Sequence, residues 1–300
     1  MNRKGFMGAD TEEKKELTDR IKSISLFFII LLAAAVLGSY FAGMAGKEEV
    51  SAKSPADAGV ISVYSPVTDN DMIVSKEGAI PISEELLDKG PLTGGAYIIS
   101  GDYGRTVVID AHDEIVHLIL DGANIRTNDG PAILARSAAK VIITAKEGTE
   151  NNLADCAYYS ERNIYAAVFS YADVTINGKG ILNISGFSKD AIHTQGFFKV
   201  LDTDIRLKAK RTALNADDGM LLSASFMSTE AEKTGLKSGI HNKVDKGSIY
   251  ISGGDNTIIA GNTGIYSGRD LYVSGCTLSI NAVVSDIVTE GEQYIEDGCL

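Results

Sequence analysis

Tryptophan is absent from the chain, and its 300 residues include only three cysteines and five prolines. Without an indole, any flat surface for stacking a sugar ring has to come from other aromatic side chains. Cys156, Cys276 and Cys299 are an odd number and make no disulfide framework, although a bridge between any two of them stays open. Basic residues are outnumbered, 28 Lys and Arg against 40 Asp and Glu, for a formal charge of −12. Residues 1 to 22 contribute +1, so the remainder carries −13, a balance that repels nucleic acid and anionic lipid. The four histidines, His112, His117, His193 and His241, share no metal-ligand spacing and read as surface or corner residues.

Charge is also missing from Ser23 to Gly46, 24 positions, which exceeds the roughly 20 residues a helix needs to cross a bilayer. Eleven of these residues are Leu, Ile, Phe or Val, and six Lys or Arg precede them, which predicts a transmembrane helix with a cytoplasmic N-terminus. A cleaved signal peptide is the alternative, with Gly43-Met44-Ala45 as its small-residue site. Either way the rest of the chain is exported: tethered at the cell membrane if the helix stays, secreted if it is cut. The expected organisation is a cytoplasmic segment 1–22, an anchor 23–46, an extracellular tether 47–90 and a folded domain 91–300. Four prolines, Pro55, Pro66, Pro81 and Pro91, mark the tether and its end. Short strands at Val60 to Val63 or Ile80 to Ile82 would start the domain early.

What is present is a repeat. A small residue followed by an aliphatic one recurs at Ala132-Ile133, Ala167-Val168, Ala191-Ile192, Ala213-Leu214, Gly239-Ile240 and Gly264-Ile265. The intervals are 35, 24, 22, 26 and 25 residues, the first holding an insertion. An apolar strand starts six residues after the marker at Val174, Phe198, Met220 and Leu271, with Ile249 as the exception at nine. Alternation such as Val174-Thr175-Ile176 and Leu271-Tyr272-Val273 puts one side inward, and glycine-containing turns close each strand. Together these predict an all-β parallel β-helix of about eight coils between Ala96 and Ala282, each coil stable only when stacked on its neighbours. The polar stretch Thr229 to Lys237 reads as a loop.

Three kinds of candidate chemistry stand out. Asn215-Ala216-Asp217-Asp218-Gly219 offers paired carboxylates, but inverting hydrolysis needs two carboxyl groups roughly 6.5 to 9.5 Å apart, and one turn supplies half of that. A lyase would draw on Arg211 or Arg269, chosen by position alone. For calcium, Asp173 and Asp270 occupy the same slot before Val174 and Leu271, with Asp217 and Asp218 close to that slot before Met220. Aspartates at such corners also bond the turn backbone. For sugars, tyrosines gather at Tyr158, Tyr159, Tyr165 and Tyr171 and recur at Tyr250, Tyr266 and Tyr272. Tyr158 and Tyr159 in the insertion, and Tyr250 and Tyr272 facing outward between inward aliphatics, are the candidate contacts.

The stretches Val116 to Ile125, Gly130-Pro131-Ala132-Ile133, Gly148 to Asp155 and Ala167 to Gly178 resemble those of exported bacterial carbohydrate-binding domain-containing proteins. The resemblance spans about residues 95 to 282 and implies a right-handed parallel β-helix. It also implies binding of plant or cell-surface polysaccharides, acidic ones included, with calcium and no catalytic centre. That family repeats Asp-Gly-Ile at the coil corner. This chain has Asp190-Ala191-Ile192, Thr212-Ala213-Leu214 and Ser238-Gly239-Ile240 instead, which leaves Asp190 as the further calcium candidate. The expected function is therefore a non-enzymatic, cell-surface module for pectin-like glycans. An adhesive solenoid that contacts another protein is the alternative, and no nucleic acid is expected as partner. Oligomeric state is not legible.

Overall fold

The computed structural model describes residues 67–161, 163–239 and 246–300. Within them the chain winds as a parallel β-helix whose strands lie on three faces. All ladders are parallel, and each strand pairs with those one coil earlier and one coil later. The first face runs from Lys140–Ala145 through Asp173–Asn177, Phe197–Leu201, Gly219–Ser223, Ser248–Ile251 and Leu271–Val273 to Gln293–Ile295. The second runs from Glu150–Ala154 through Ile181–Gly186, Asp204–Ala209, Phe226–Ala231 and Asp255–Ala260 to Thr277–Ala282. The third is an eight-stranded sheet from Val107–Asp110 to Ser285–Thr289, so the described residues make eight coils. The long strands Gly95–Tyr103 and Ile115–Arg126 bend across the first two faces and join them into one sheet.

Period-2 alternation explains the lining. On the third face Ile133, Val168, Ile192, Leu214, Leu236, Ile265 and Ile287 stand in register, each partnered with the next. On the first face Val174, Phe198, Met220, Ile249 and Leu271 do the same. These side chains, with few exceptions, are fully buried and form one continuous apolar core. Where the residue before the third-face aliphatic is glycine, as at Gly235 and Gly264, it has a steric cause. A Cβ on Gly235 would stand 2.4 Å from the Ile258 Cγ2 of the next coil.

Three sequence expectations are corrected here. The fifth marker is Gly235-Leu236 and not Gly239-Ile240, because Leu236 pairs with Leu214 and Ile265. The extra residues of that coil follow Ser238, which is why Ile249 starts late; Ile240 and His241 lie outside the described residues. Thr229 to Lys237 is no loop but parts of two strands, Phe226–Ala231 and Thr234–Ser238. His117 and His193 are buried and not surface residues.

Of the stretch 47–90, the described part joins the solenoid at its start. Ile80–Pro81 pairs with Tyr97 and Ile98, and the helix Glu84–Asp88 covers the first coil with Leu87. Asp69–Met72 forms a 3-10 turn upstream. The anchor 23–46, the segment 1–22 and Val60 to Val63 lie outside the described residues. Among those described, no helix is long and apolar enough to cross a membrane. At the far end Cys299 is buried beneath the last coil, its carbonyl accepting from the Leu278 amide at 2.6 Å. Burial and the neighbouring Cys299 push the Cys276 thiol up to about 11.

Corners are where the coil has least freedom. Gly254 has φ +67°, and a Cβ there would lie 1.9 Å from the Ala224 carbonyl oxygen of the coil before. Gly254→Ala is therefore expected to destabilise the protein by about 1–3 kcal/mol or more, the scale of a strained residue with a blocked side chain. Urea unfolding should show a lower midpoint at an unchanged slope.

Candidate functional site

Side chains that alternate outward from the third face line up as Phe169, His193, Asn215, Lys237 and Tyr266, one per coil. Of these, His193, Asn215 and Lys237 form the floor of a groove of about 500 Å3, walled by Tyr165, Arg211, Lys233 and Asp217. Asp155 braces the insertion that leads to Tyr165. Its buried carboxylate accepts from Tyr159 Oη and Ser188 Oγ, both at 2.6 Å, and from the Phe187 amide at 2.5 Å. Burial pushes that carboxyl up, and burial together with the bond to Asp155 pushes the Tyr159 phenol up. The knot fixes the insertion, so that Tyr165 reaches the groove.

Phe169 meets His193 edge to face with ring centroids 5.0 Å apart, and Tyr165 lies tilted against His193 at 5.3 Å. The Arg211 guanidinium lies 4.5 Å and the Lys189 ammonium 4.6 Å from the Tyr165 ring centre. Arg211 is also held by Asp190, with Nε donating at 2.8 Å and Nη2 at 2.5 Å. That contact raises the Arg211 pKa further. The result is a hydrogen-bonding surface with fixed cations and not a stacking platform.

His193 Nε2 lies 3.3 Å from Asp217 Oδ1. His193 Nδ1 and Asn215 Oδ1 are buried, and neither has a hydrogen-bond partner. A buried polar atom left unbonded costs roughly 1–3 kcal/mol, and with Nε2–H donating to Asp217 both of these atoms are acceptors, each poised for a hydrogen-bond donor. A hydroxyl group supplies one. The groove is also basic on an acidic protein, with Arg211, Lys233 and Lys237 against one carboxylate, Asp217, among its described lining residues.

The family model of carbohydrate-binding domain-containing proteins matches residues 92–297. The chain belongs to that family. A carbohydrate-binding domain-containing protein of Acetivibrio thermocellus is 28% identical over 283 residues, which is 90% of this chain and 96% of that protein. A solved structure, of the polysaccharide lyase-like protein from C. thermocellum as a gadolinium derivative, has a TM-score of 0.66 and 25% identity. It covers 75% of this chain and 90% of that one.

This carbohydrate-binding domain does not gather the residues singled out by its sequence. Tyr158 is 88% exposed on the insertion, whereas the Tyr159 hydroxyl is spent on Asp155 and the Ala166 carbonyl. Tyr250 and Tyr272 stack face to face with centroids 5.2 Å apart on the outside of the first face, where Tyr250 is buried. Asp173 and Asp270 do share a role: each accepts from a main-chain amide one coil on, Phe197 at 2.8 Å and Glu292 at 2.9 Å. Asp190 is taken by Arg211, Asp217 by His193 and Asp218 by Lys246. Calcium needs six to eight oxygens, and among the described residues no three His, Cys, Asp or Glu are placed to hold a metal. The five aspartates therefore do not fit a calcium cage. Of the groove residues, Arg211 and Asn215 stood in sequence candidates for other chemistry; the signal for His193, Asn215 and Lys237 was their recurrence every 22 residues, one place after the aliphatic marker, and Lys233 carried none.

Proposed function

We propose that this domain is a non-catalytic receptor for acidic polysaccharides, a right-handed solenoid held outside the cell by residues 23–46. That hand is the one nearly all parallel crossovers take. The observation that carries the reading is the pair of buried, unbonded atoms His193 Nδ1 and Asn215 Oδ1 in a groove lined by Arg211, Lys233 and Lys237. Sugar hydroxyls satisfy the first pair and uronate carboxylates the cations. Hydrolysis lacks support because Asp217 is the one carboxylate among the described residues that line the groove, where two are needed.

Retention of the full chain on immobilised polygalacturonate tests it. Replacing Lys233 and Lys237 together with alanine is expected to weaken retention about tenfold or more, since hydrogen bonds to charged groups contribute roughly 1.5–3 kcal/mol each. Raising the salt should weaken the unaltered protein more than the variant. A chelator should change neither, as the aspartates do not fit calcium. Equal retention of both proteins, or none of either, overturns the reading.

A lyase is the second reading, favoured by the name of the solved neighbour and by His193 beside Asp217 at 3.3 Å, a base with an orienting partner. Unsaturated ends, read by ultraviolet absorbance, would establish it. Bound polymer with no such product removes it.

A further inference from the structure

Residues 67–76 cross the outside of the first face as a strap, and the strap is held in an unusual way. Its apolar side chains Val67, Met72 and Val74 are 44%, 59% and 50% exposed, while Asp71 is fully buried. Asp71 Oδ1 accepts from Lys140 Nζ at 2.7 Å and from Thr175 Oγ1 at 2.5 Å, and Oδ2 accepts from Lys199 Nζ at 3.0 Å. Those three residues stand on three successive coils, and the Lys140 and Lys199 side chains are 15% and 3% exposed. Beside them Asn177 Nδ2 donates to the main-chain oxygens of Asp71 at 2.8 Å and Ile73 at 2.9 Å. Thr68, within the strap, donates to the same carboxylate. Burial by itself would push the Asp71 carboxyl up; the bonds from Lys140, Thr175, Thr68 and Lys199 outweigh it and hold the group well below the usual carboxylate range.

A strap that docked through the hydrophobic effect would turn its valines and methionine inward. This one turns them out and inserts one anion between two ammonium groups and a hydroxyl. Contacts of that kind are charge-assisted and chemically general: any carboxylate in the same place makes them. The receiving groups belong to the rigid coils and not to the strap, so they keep their spacing when it leaves. We propose that Lys140, Thr175 and Lys199 form a binding site for the carboxylate of a uronic-acid residue, and that Asp71 fills it as a tethered competitor. When the strap is displaced, Asn177 Nδ2 exchanges the strap carbonyls for sugar oxygens. A competitor on a short tether acts at an effective concentration in the millimolar range, so a polymer carrying many carboxylates displaces it better than a monomer does. The site lies on a different face from the third-face groove and does not depend on it.

Asp71→Asn in the full chain tests the idea, with trigalacturonic acid as the probe, maltotriose as the neutral arm and triglutamate as the peptide arm. Calorimetry is expected to show trigalacturonic acid bound at least tenfold more tightly by the variant than by the unaltered protein, with no gain for maltotriose and a smaller one for triglutamate, which lacks sugar oxygens for Asn177. Adding Lys140→Met and Lys199→Met to Asp71→Asn should abolish the gain, and no buried carboxylate is then left unpaired. In the unaltered protein, saturating trigalacturonic acid should speed amide exchange at residues 68–76. A β-sheet circular dichroism signal with a cooperative melting transition, its midpoint lowered but above the assay temperature, shows that each variant folds. Unchanged affinity in Asp71→Asn, a gain that survives loss of both lysines, or an equal gain for triglutamate overturns the proposal. Lys233→Ala with Lys237→Ala lowers the baseline in both backgrounds while leaving the ratio between them intact, so failure of the groove and failure of this site read differently.

Discussion

Phe198→Ala is expected to destabilise the protein by about 3–5 kcal/mol, the usual cost of emptying a phenylalanine site in a packed core. Phe198 is fully buried and stands in the inner ladder between Val174 and Met220. The coils above and below cannot close on the void, because the parallel ladders fix strand spacing near 4.8 Å. The loss therefore stays near the upper part of that range. The adjacent Phe197 is the control. It points outward and packs with Leu201, Leu221 and Tyr250 in a separate small cluster. Phe197→Ala should cost clearly less. Urea unfolding of both variants checks the contrast, and equal losses would mean that the alternation of the strand is misread.

Acid has the second large effect. His117 is buried on the first face, where its Nε2 lies 2.7 Å from Thr144 Oγ1. Asn177 Nδ2 donates to the strap carbonyls, so Asn177 Oδ1 takes the Thr144 proton at 2.5 Å. Thr144 must then accept from His117, which leaves the Nδ1 lone pair buried and unbonded. Adding a proton there would bury an unpartnered charge. Burial, with a smaller contribution from Lys76, accordingly lowers the imidazole pKa from 6.5 to about 4. The unfolded chain binds this proton below 6.5 and the folded one does not until about 4, so stability falls as pH falls through that window. The full displacement corresponds to at most roughly 3 kcal/mol. Asp155, raised by burial, works in the opposite sense, over a window that starts at the ordinary carboxylate value and runs upward. His117→Gln should flatten the slope between pH 6.5 and 4 in urea titrations. An undiminished slope would assign the acid sensitivity elsewhere.

The period and the lining were legible because they depend on neighbours two apart in sequence and on small residues at regular intervals. Val174, Phe198, Met220 and Leu271 fell where alternation put them. Gly239-Ile240 misled because a second glycine-aliphatic pair, Gly235-Leu236, stands four residues earlier, and composition does not say which one meets Leu214. Thr229 to Lys237 looked like a loop for a related reason. Its outward Glu230 and Lys237 are polar, and one of its inward residues is Thr229. The tyrosines show a different limit. Alternation correctly turned Tyr250 outward, but whether an outward residue meets solvent depends on what the chain lays over that face. The groove was least visible of all. Phe169, His193, Asn215 and Lys237 become neighbours only once the register of four coils is known, and none of them is remarkable by type.

A stack of coils has two ends, and the finish of this one is acidic. Glu84, Glu85 and Asp88 on the helix at the start are met by Arg105 and Lys89, while Asp286, Glu290, Glu292, Glu296 and Asp297 ring the finish. The terminal strands at the finish still offer open backbone edges, with Val283 and Val284 bare beside them. Open edges of that kind are templates on which another chain can grow into a fibre. Abutting two molecules finish to finish would bring acid against acid, and this repulsion keeps those edges apart.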